Sequence, residues 1–284
     1  MKFYIVIPAH NEEKFIHKTL DSLVKQTLLP AKIVVVDDHS TDATSAIVTQ
    51  FTTQYPFITL VKIASSEAHL PGSKVINAFY KGFDSLDANY DVICKFDADL
   101  IFPENYLEKV AELFKNNPKC GMAGGFCTIE KNGKWILETL TDKFHIRGAL
   151  KTYRKKCFQD IGKLKIAMGW DTVDELLAQY HGWEVCAKEN LEVKHLKPTG
   201  KTYNKQARYK QGEAFYKLRY GFWITCIASL KLAILKKKPF LLIDYLKGYF
   251  LAKNNQMPYL VTEVEGVFIR KLRLQKIKNK IFFR

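Results

Sequence analysis

No Cys-x-x-Cys pair occurs in the 284 residues, and the six cysteines (Cys94, Cys120, Cys127, Cys157, Cys186, Cys226) are scattered. That excludes a zinc ribbon, a redox dithiol motif and a dense disulfide framework, and marks them as reduced core thiols. Neither GxxxxGKS/T nor a GxGxxG after the first apolar run is present, so any phosphate must be held by something other than a glycine loop. No apolar run reaches the ~20 residues that span ~30 Å of hydrocarbon. The opening MKFYIVIPAHNEE meets a proline after six apolar positions, short of a signal-peptide core of ~7 to 15 residues, which makes the cytoplasm the expected location. With 9 prolines and 15 glycines, 47% hydrophobic and 26% charged residues, collagen-like, low-complexity and disordered classes are excluded as well. There is no short-period repeat.

What is present is a lopsided charge. The formal net charge is +15, yet residues 1 to 200 hold 25 Lys and Arg against 25 Asp and Glu, while residues 201 to 284 hold 19 against 4. A domain over 1–200 and a basic, aromatic-rich helical extension over 201–284 follow. The extension contains YGFWITCIASLKLAIL and, after Lys236-Lys237-Lys238-Pro239, FLLIDYLKGYFLA. Both stretches are too short and interrupted to span a bilayer but suit interfacial helices, with aromatic residues and lysines at the headgroup boundary of an anionic membrane surface. The other reading is a pair of helices packed on the first domain or across a dimer, with a solvated basic face.

Residues 1 to 116 alternate apolar runs with helical patterns. Phe3–Ile7, Ile33–Val36, Phe57–Ile63 and Tyr90–Phe96 read as strands. Helices are expected after each: one capped by Asn11, one capped by Ser40 or Thr41 over Ala43–Gln54, one opened by Pro71-Gly72-Ser73 and running to Leu86, and one from Pro103 to Asn116. This alternation implies a parallel sheet flanked by helices, with ligands bound at the carboxyl ends of the strands. The polar clusters His10–Glu13, Asp37–Asp42 and Asp97–Asp99 all sit there. Asp97 and Asp99 straddle one residue, so on an extended chain both side chains face the same way, and paired oxygens at a strand end suit a hard divalent cation such as Mn²⁺ or Mg²⁺ that bridges to a diphosphate.

The order of VIPAHNEE near residue 10, VVVDDHSTD near 38, the Gly72–Gly82 segment with Lys74 and Asn77, and KFDADL near 97 resembles the nucleotide-binding half of family 2 glycosyltransferases, inverting enzymes of the GT-A fold. GALKTYRKKCFQDIG (148–162) resembles that family's acceptor-side strand and helix, and GWDTVDELLAQYHGW (169–183) its catalytic acidic motif and following helix. The resemblance spans roughly residues 1 to 200. It implies an α/β fold of the GT-A type, a mostly parallel central sheet flanked by helices, followed by the basic helical extension. Pro8, His10 and Glu12 would line the nucleoside pocket with Asp38 near the base, Asp97 and Asp99 would contact ribose and metal-bound diphosphate, and Asp171 would be the general base.

Where relatives carry Glu-Asp this chain has Trp170-Asp171, which leaves Asp174 as an alternative base; Glu175 reads as charge complementary to the helix N-terminus. Trp170 suits a sugar face or a core equally. His195 is either structural or the last member of the metal shell, and Lys74 either holds diphosphate or faces solvent. The implied activity moves a sugar from a nucleotide-diphosphate donor, UDP ahead of GDP, to a glycan or lipid-linked glycan acceptor at the cytoplasmic face of the membrane. The alternatives are a polyprenyl-phosphate sugar synthase and a non-catalytic nucleotide-sugar-binding protein. No nucleic acid partner is expected, because an acidic crevice repels a phosphate backbone.

Overall fold

The computed structural model describes residues 1–64, 72–138, 145–197 and 208–282. The chain divides into two compact units, Met1–Ile166 with Trp170–Thr199, and Ala167–Gly169 with Gly200–Arg284.

In the first unit the apolar runs become the inner strands. β1 (Phe3–Ala9), β2 (Lys32–Asp38), β3 (Ile58–Ile63) and β4 (Val92–Phe96) pair parallel in the order β3-β2-β1-β4. β1, β2 and β4 are buried along nearly their whole length, which is why they read as unbroken apolar runs rather than alternating ones. The crossovers carry α1 (Ile16–Val24), α2 (Thr44–Gln54) and α3 (Ser73–Phe83). Chain order runs outward from β1 through β2 to β3 and then returns to the other side of β1 with β4. The loops after β1 and β4 therefore part company between neighbouring strands, the switch point at which α/β sheets take ligands.

Two helix starts differ from the sequence expectation. Asn11 does not cap α1: its backbone is left-handed (φ 54°) and its Oδ1 accepts the Thr41 N–H at 2.8 Å. Neither Ser40 nor Thr41 caps α2, where Asp42 Oδ1 accepts the Thr44 N–H at 2.9 Å. These polar residues are committed to tying the first loop to the second, Asn11 N–H donating to Ser40 Oγ (2.9 Å) and Glu12 N–H to Thr44 Oγ1 (2.8 Å). The third helix ends at Phe83 rather than Leu86, and Pro71 lies outside the described residues.

Beyond β4 come β5 (Leu100–Ile101), α4 (Tyr106–Asn116), β6 (Cys120–Lys131), β7 (Lys134–Leu137), β8 (Leu150–Arg154), α5 (Lys155–Asp160), α6 (Trp170–Tyr180) and β9 (Glu184–His195). β8 joins β4 antiparallel and β6 joins β8 antiparallel, while β9 runs parallel to β6. The tip of β9 pairs with β5, so that His195 stands opposite Leu100. Gly125 makes this possible: the β6–β9 register shifts between Gly124 and Phe126, and a Cβ at Gly125 would lie 1.9 Å from the Leu191 carbonyl oxygen. Any larger residue there forces β9 off β6 and carries His195 with it.

The second unit holds α7 (Lys210–Lys217), α8 (Gly221–Leu235), α9 (Phe240–Asn254) and α10 (Glu263–Phe282). Ala233, Leu241 and Tyr245 form a buried cluster, and α7 packs on α9 through the Phe215–Tyr245 and Tyr216–Tyr249 ring pairs. Among the described residues no helix is long and apolar enough to cross a membrane.

Candidate active site

The polar loops open on one cleft of about 710 Å³, lined by Pro8, His10, Glu12, Asp38, Lys74, Asp97 and Asp99 together with Lys197. The strand register explains the convergence. β1 pairs with β2 as far as Ala9 against Asp37, and with β4 as far as Val6 against Lys95, so the residues just past each strand end emerge side by side. His10 Nδ1 donates to the Asp38 carbonyl oxygen at 2.6 Å and fixes the two loops together. Glu12 Oε1 accepts from Lys197 Nζ at 2.6 Å, while its buried Oε2 finds no partner among the described residues. Burial pushes the Glu12 carboxyl up, and Lys197 only partly offsets it. Lys74 reaches the cleft from the first turn of α3.

Asp97, Asp99 and His195 bring one ligand atom each to within 4.8 Å of one another. His195 Nε2 is 3.5 Å from Asp99 Oδ2, and its Nδ1 is 3.2 Å from Glu138 Oε2. Two carboxylates and an imidazole whose far nitrogen is held by a third carboxylate are the chemistry of a divalent-cation site. The donor set fits. Burial works against a proton on His195, but Asp99 and Glu138 outweigh it and push the imidazole up to about 9. Beneath the cleft the buried Lys95 pairs with Asp97, and burial of that carboxyl is outweighed by Lys95, which holds it below the usual carboxylate range. A second grouping, Cys127, Glu138 and His195, lies wholly inside the protein, with Glu138 already paired to Arg147 at 2.9 Å.

Asp171 stands in the first turn of α6 with a third of its side chain exposed. It lies against Gly148, where a Cβ would be 3.4 Å from Asp171 Oδ2, and Gly148 offers its carbonyl to Lys95 Nζ at 3.1 Å. Lys95 thus ties Asp97 to the backbone beneath Asp171. Trp170 is buried with its ring centre 5.4 Å from Lys95 Nζ, so it fills the core instead of presenting a face to a sugar.

Asp174, expected as the alternative base, is 1% exposed, paired with Lys151 Nζ at 3.1 Å and accepting from Tyr153 Oη and from the Glu175 N–H. Burial pushes its carboxyl up to about 6 against the pull of Lys151. Glu175 also departs from its expected part as helix-terminal charge: it is buried, accepting from the Ile146 N–H and from Lys151 Nζ, both at 2.9 Å.

Among the residues of this site that escaped the sequence reading are Lys95, Glu138, His145, Lys151 and Lys197. A lysine inside the apolar run Val92–Phe96 is a detectable signal, because a charge there must find a partner. Lys151 fixes the start of α6 by donating to the Asp171 carbonyl oxygen at 2.7 Å. His145 lies between two acids, Nδ1 3.0 Å from Glu175 Oε2 and Nε2 3.7 Å from Asp171 Oδ2. Burial would lower its pKa, but Asp171 and Glu175 push it up to about 9 from an ordinary 6.5. In return, burial of Asp171 is outweighed by His145 and Lys151, which hold its carboxyl below the usual carboxylate range.

A raised imidazole stabilises the fold fully below its unfolded pKa and ceases to as pH rises through the folded value. Conformational stability is therefore expected to fall between pH 6.5 and about 9 by on the order of 3 kcal/mol on account of His145. His195 adds a contribution of the same sign. Urea melts across this range check it: His145→Gln, neutral throughout, should show a shallower decline than wild type, and an equal slope in both proteins would remove His145 from the account.

An open α/β sheet with an acidic, cation-suited cleft at its switch point is the GT-A type of fold. Residues 4–164 match the model of the family described as Glycosyl transferase family 2, and the chain belongs to that family. The Bacillus subtilis (strain 168) protein described as "Probable glycosyltransferase YdaM" is 35% identical over 156 residues, 53% of this chain and 31% of that protein. The chain thus spans about a third of that relative's length. Among solved structures, S. aureus TarS 1–349 in complex with UDP aligns with a TM-score of 0.56 at 18% identity, covering 81% of this chain and 66% of that one. The mannosyltransferase PcManGT from Pyrobaculum calidifontis, in complex with GDP-Man and Mn²⁺, gives a TM-score of 0.59 at 15% identity over 97% of this chain and 80% of that one. At such identities the likeness is one of fold.

Proposed function

We propose that this chain is an inverting glycosyltransferase that moves a sugar from a nucleotide-diphosphate donor to a hydroxyl of a glycan or lipid-linked glycan during cell-surface glycan synthesis. The observation that carries the reading is the arrangement around Lys95. The buried Lys95 pairs with Asp97, one of the two carboxylates suited to a divalent cation, and donates to the carbonyl oxygen of Gly148, against which the partly exposed Asp171 carboxylate lies. Single displacement calls for both a cation at the leaving diphosphate and a base at the acceptor hydroxyl.

In this reading His10, Glu12, Asp38 and Pro8 receive the nucleoside, the unpartnered Glu12 Oε2 accepting from a donor hydroxyl, and Lys74 faces the diphosphate. Asp97, Asp99 and His195 hold Mn²⁺ or Mg²⁺, which when bound neutralises the diphosphate and its leaving charge. Asp171 takes the proton from the attacking hydroxyl, and one in-line attack inverts the anomeric centre without a second nucleophilic carboxylate. The ionised Asp171 favours a hydroxyl acceptor over a lipid phosphate, which needs no strong base. The structures of TarS with UDP and of PcManGT with GDP-Man and Mn²⁺ support nucleotide-sugar donors; our reading takes UDP ahead of GDP.

A thermal-shift screen tests the donor. UDP, GDP and their sugars, each with and without Mn²⁺, should raise the melting temperature only for the cognate base and chiefly with the cation, since a ligand of the native state stabilises it. Release of free sugar from the stabilising donor would then separate an enzyme from a binding protein. No shift with any nucleotide would remove the nucleotide-sugar reading altogether.

A further inference from the structure

Helix α8 is apolar almost all the way round, and its own unit uses only part of that surface. Ile224 and Ala233 are buried, whereas Trp223 (77% exposed), Ile227, Leu230 and Ile234 (68%) stand outside. Their i, i+4, i+7, i+11 spacing sets all four on one stripe. On α9, Phe240, Ile243 (69% exposed) and Phe250 repeat the pattern at i, i+3 and i+10, with the exposed Lys247 at i+7. The two stripes meet at one end of the helix pair, where the exposed rings of Phe222 and Phe250 lie 5.9 Å apart and Phe222 lies 5.4 Å from Trp223. At the other end the turn Lys236-Lys237-Lys238 presents three exposed lysines between the exposed Leu235 and Phe240.

We propose that this α8–α9 face docks on an anionic phospholipid bilayer, lying in its interface with the aliphatic and aromatic stripe in the acyl boundary and the lysines at the headgroups. Charge complementarity selects the occupant. Residues 201–284 carry 19 Lys and Arg against 4 Asp and Glu, and the only acid between 221 and 254, Asp244, is buried and paired with Arg208 at 2.6 Å. A second copy would set these lysines against their own images across a two-fold axis. A nucleic acid would use the charge and the rings but gain nothing from Ile227, Leu230, Ile234 and Ile243. A bilayer surface uses both, and Trp223 suits its boundary. At 15 residues each helix rises only about 22 Å, so the pair lies on the membrane instead of crossing it. The inference stands independently of the reaction at the cleft.

Flotation of the full chain with phosphatidylcholine vesicles, alone and mixed with phosphatidylglycerol, tests it. Capture by the mixed vesicles is expected, weakened but not abolished by salt, because screening removes the charge contribution and leaves insertion. The triple variant Trp223→Ser, Ile234→Ser, Ile243→Ser should lower vesicle affinity at least about tenfold. Lys236→Gln, Lys237→Gln, Lys238→Gln should instead erase the preference for the anionic mixture. All six side chains are exposed, and an unchanged circular-dichroism melt confirms that neither variant has lost its fold. No capture by either vesicle overturns the proposal, as does capture that salt abolishes entirely and the triple variant does not weaken. Light scattering that finds a dimer, dissolved by the triple variant, without any vesicle capture would assign the face to a second copy instead.

Discussion

Replacing Asp171 by Asn is expected to lower turnover by about 10²-fold or more, the loss that removal of a general base produces, with nucleotide affinity nearly unchanged. The substitution keeps size and the contact with Gly148 while removing the negative charge that His145 and Lys151 stabilise. Because those neighbours hold the Asp171 carboxyl below the usual range, the wild-type base stays ionised at neutral pH and should lose its function only in acid. Asp174→Asn makes the contrasting control. Its carboxylate is buried between Lys151 and Tyr153, and taking one partner from a buried ion pair costs on the order of 3–5 kcal/mol, so that variant should lose stability first and activity as a consequence. The two effects separate by measuring kcat together with the melting temperature. Full turnover in Asp171→Asn, at any stability, would remove it from the chemistry.

Asp99→Ala should abolish the dependence of nucleotide binding on a divalent cation. Without the cation, Asp97, Asp99 and Glu12 face an incoming diphosphate with like charge, and close like charges are unfavourable even at a partly solvated site. In the wild type a chelator should therefore weaken UDP or GDP binding by about tenfold or more, whereas the variant should bind weakly and equally with and without it. Asp99 is the better probe of the pair, since Asp97→Ala would also leave the buried Lys95 without the carboxylate it pairs with. His195→Ala should shift cation affinity in the same direction by a smaller factor, having removed one neutral ligand instead of a charge. Isothermal titration over a series of cation concentrations distinguishes these outcomes, and equal nucleotide affinity in the wild type with and without chelator would rule out a cation at this position.

The first half of the site was legible because local sequence decides it. Strands buried on both faces show as apolar runs, polar loops follow at their carboxyl ends, and a parallel sheet with its strand ends on one side gathers those loops. His10, Glu12, Asp38, Lys74, Asp97 and Asp99 accordingly line one cleft. The details of the loops were less legible, since Asn11, Ser40 and Thr41 can cap a helix or bond a neighbouring loop with the same side-chain atoms. Competition between those partners is settled only once both loops are present.

By itself the sequence determined the order of β1 to β4 and of the helices that follow them, the carboxylate pair after β4 and the basic, apolar character of residues 201–284. Tertiary structure alone decided which charged groups face each other. His195 reaches Asp99 because β9 shifts register at Gly125 and its tip pairs with β5, nearly a hundred residues earlier in the chain. Asp174 and Glu175 are buried in ion pairs because Lys151, on a strand that pairs with β4 and β6, comes up beneath α6 and binds both. A buried charge takes its meaning from the partner that compensates its desolvation, and that partner is chosen by strand pairing across the sheet rather than by spacing along the chain.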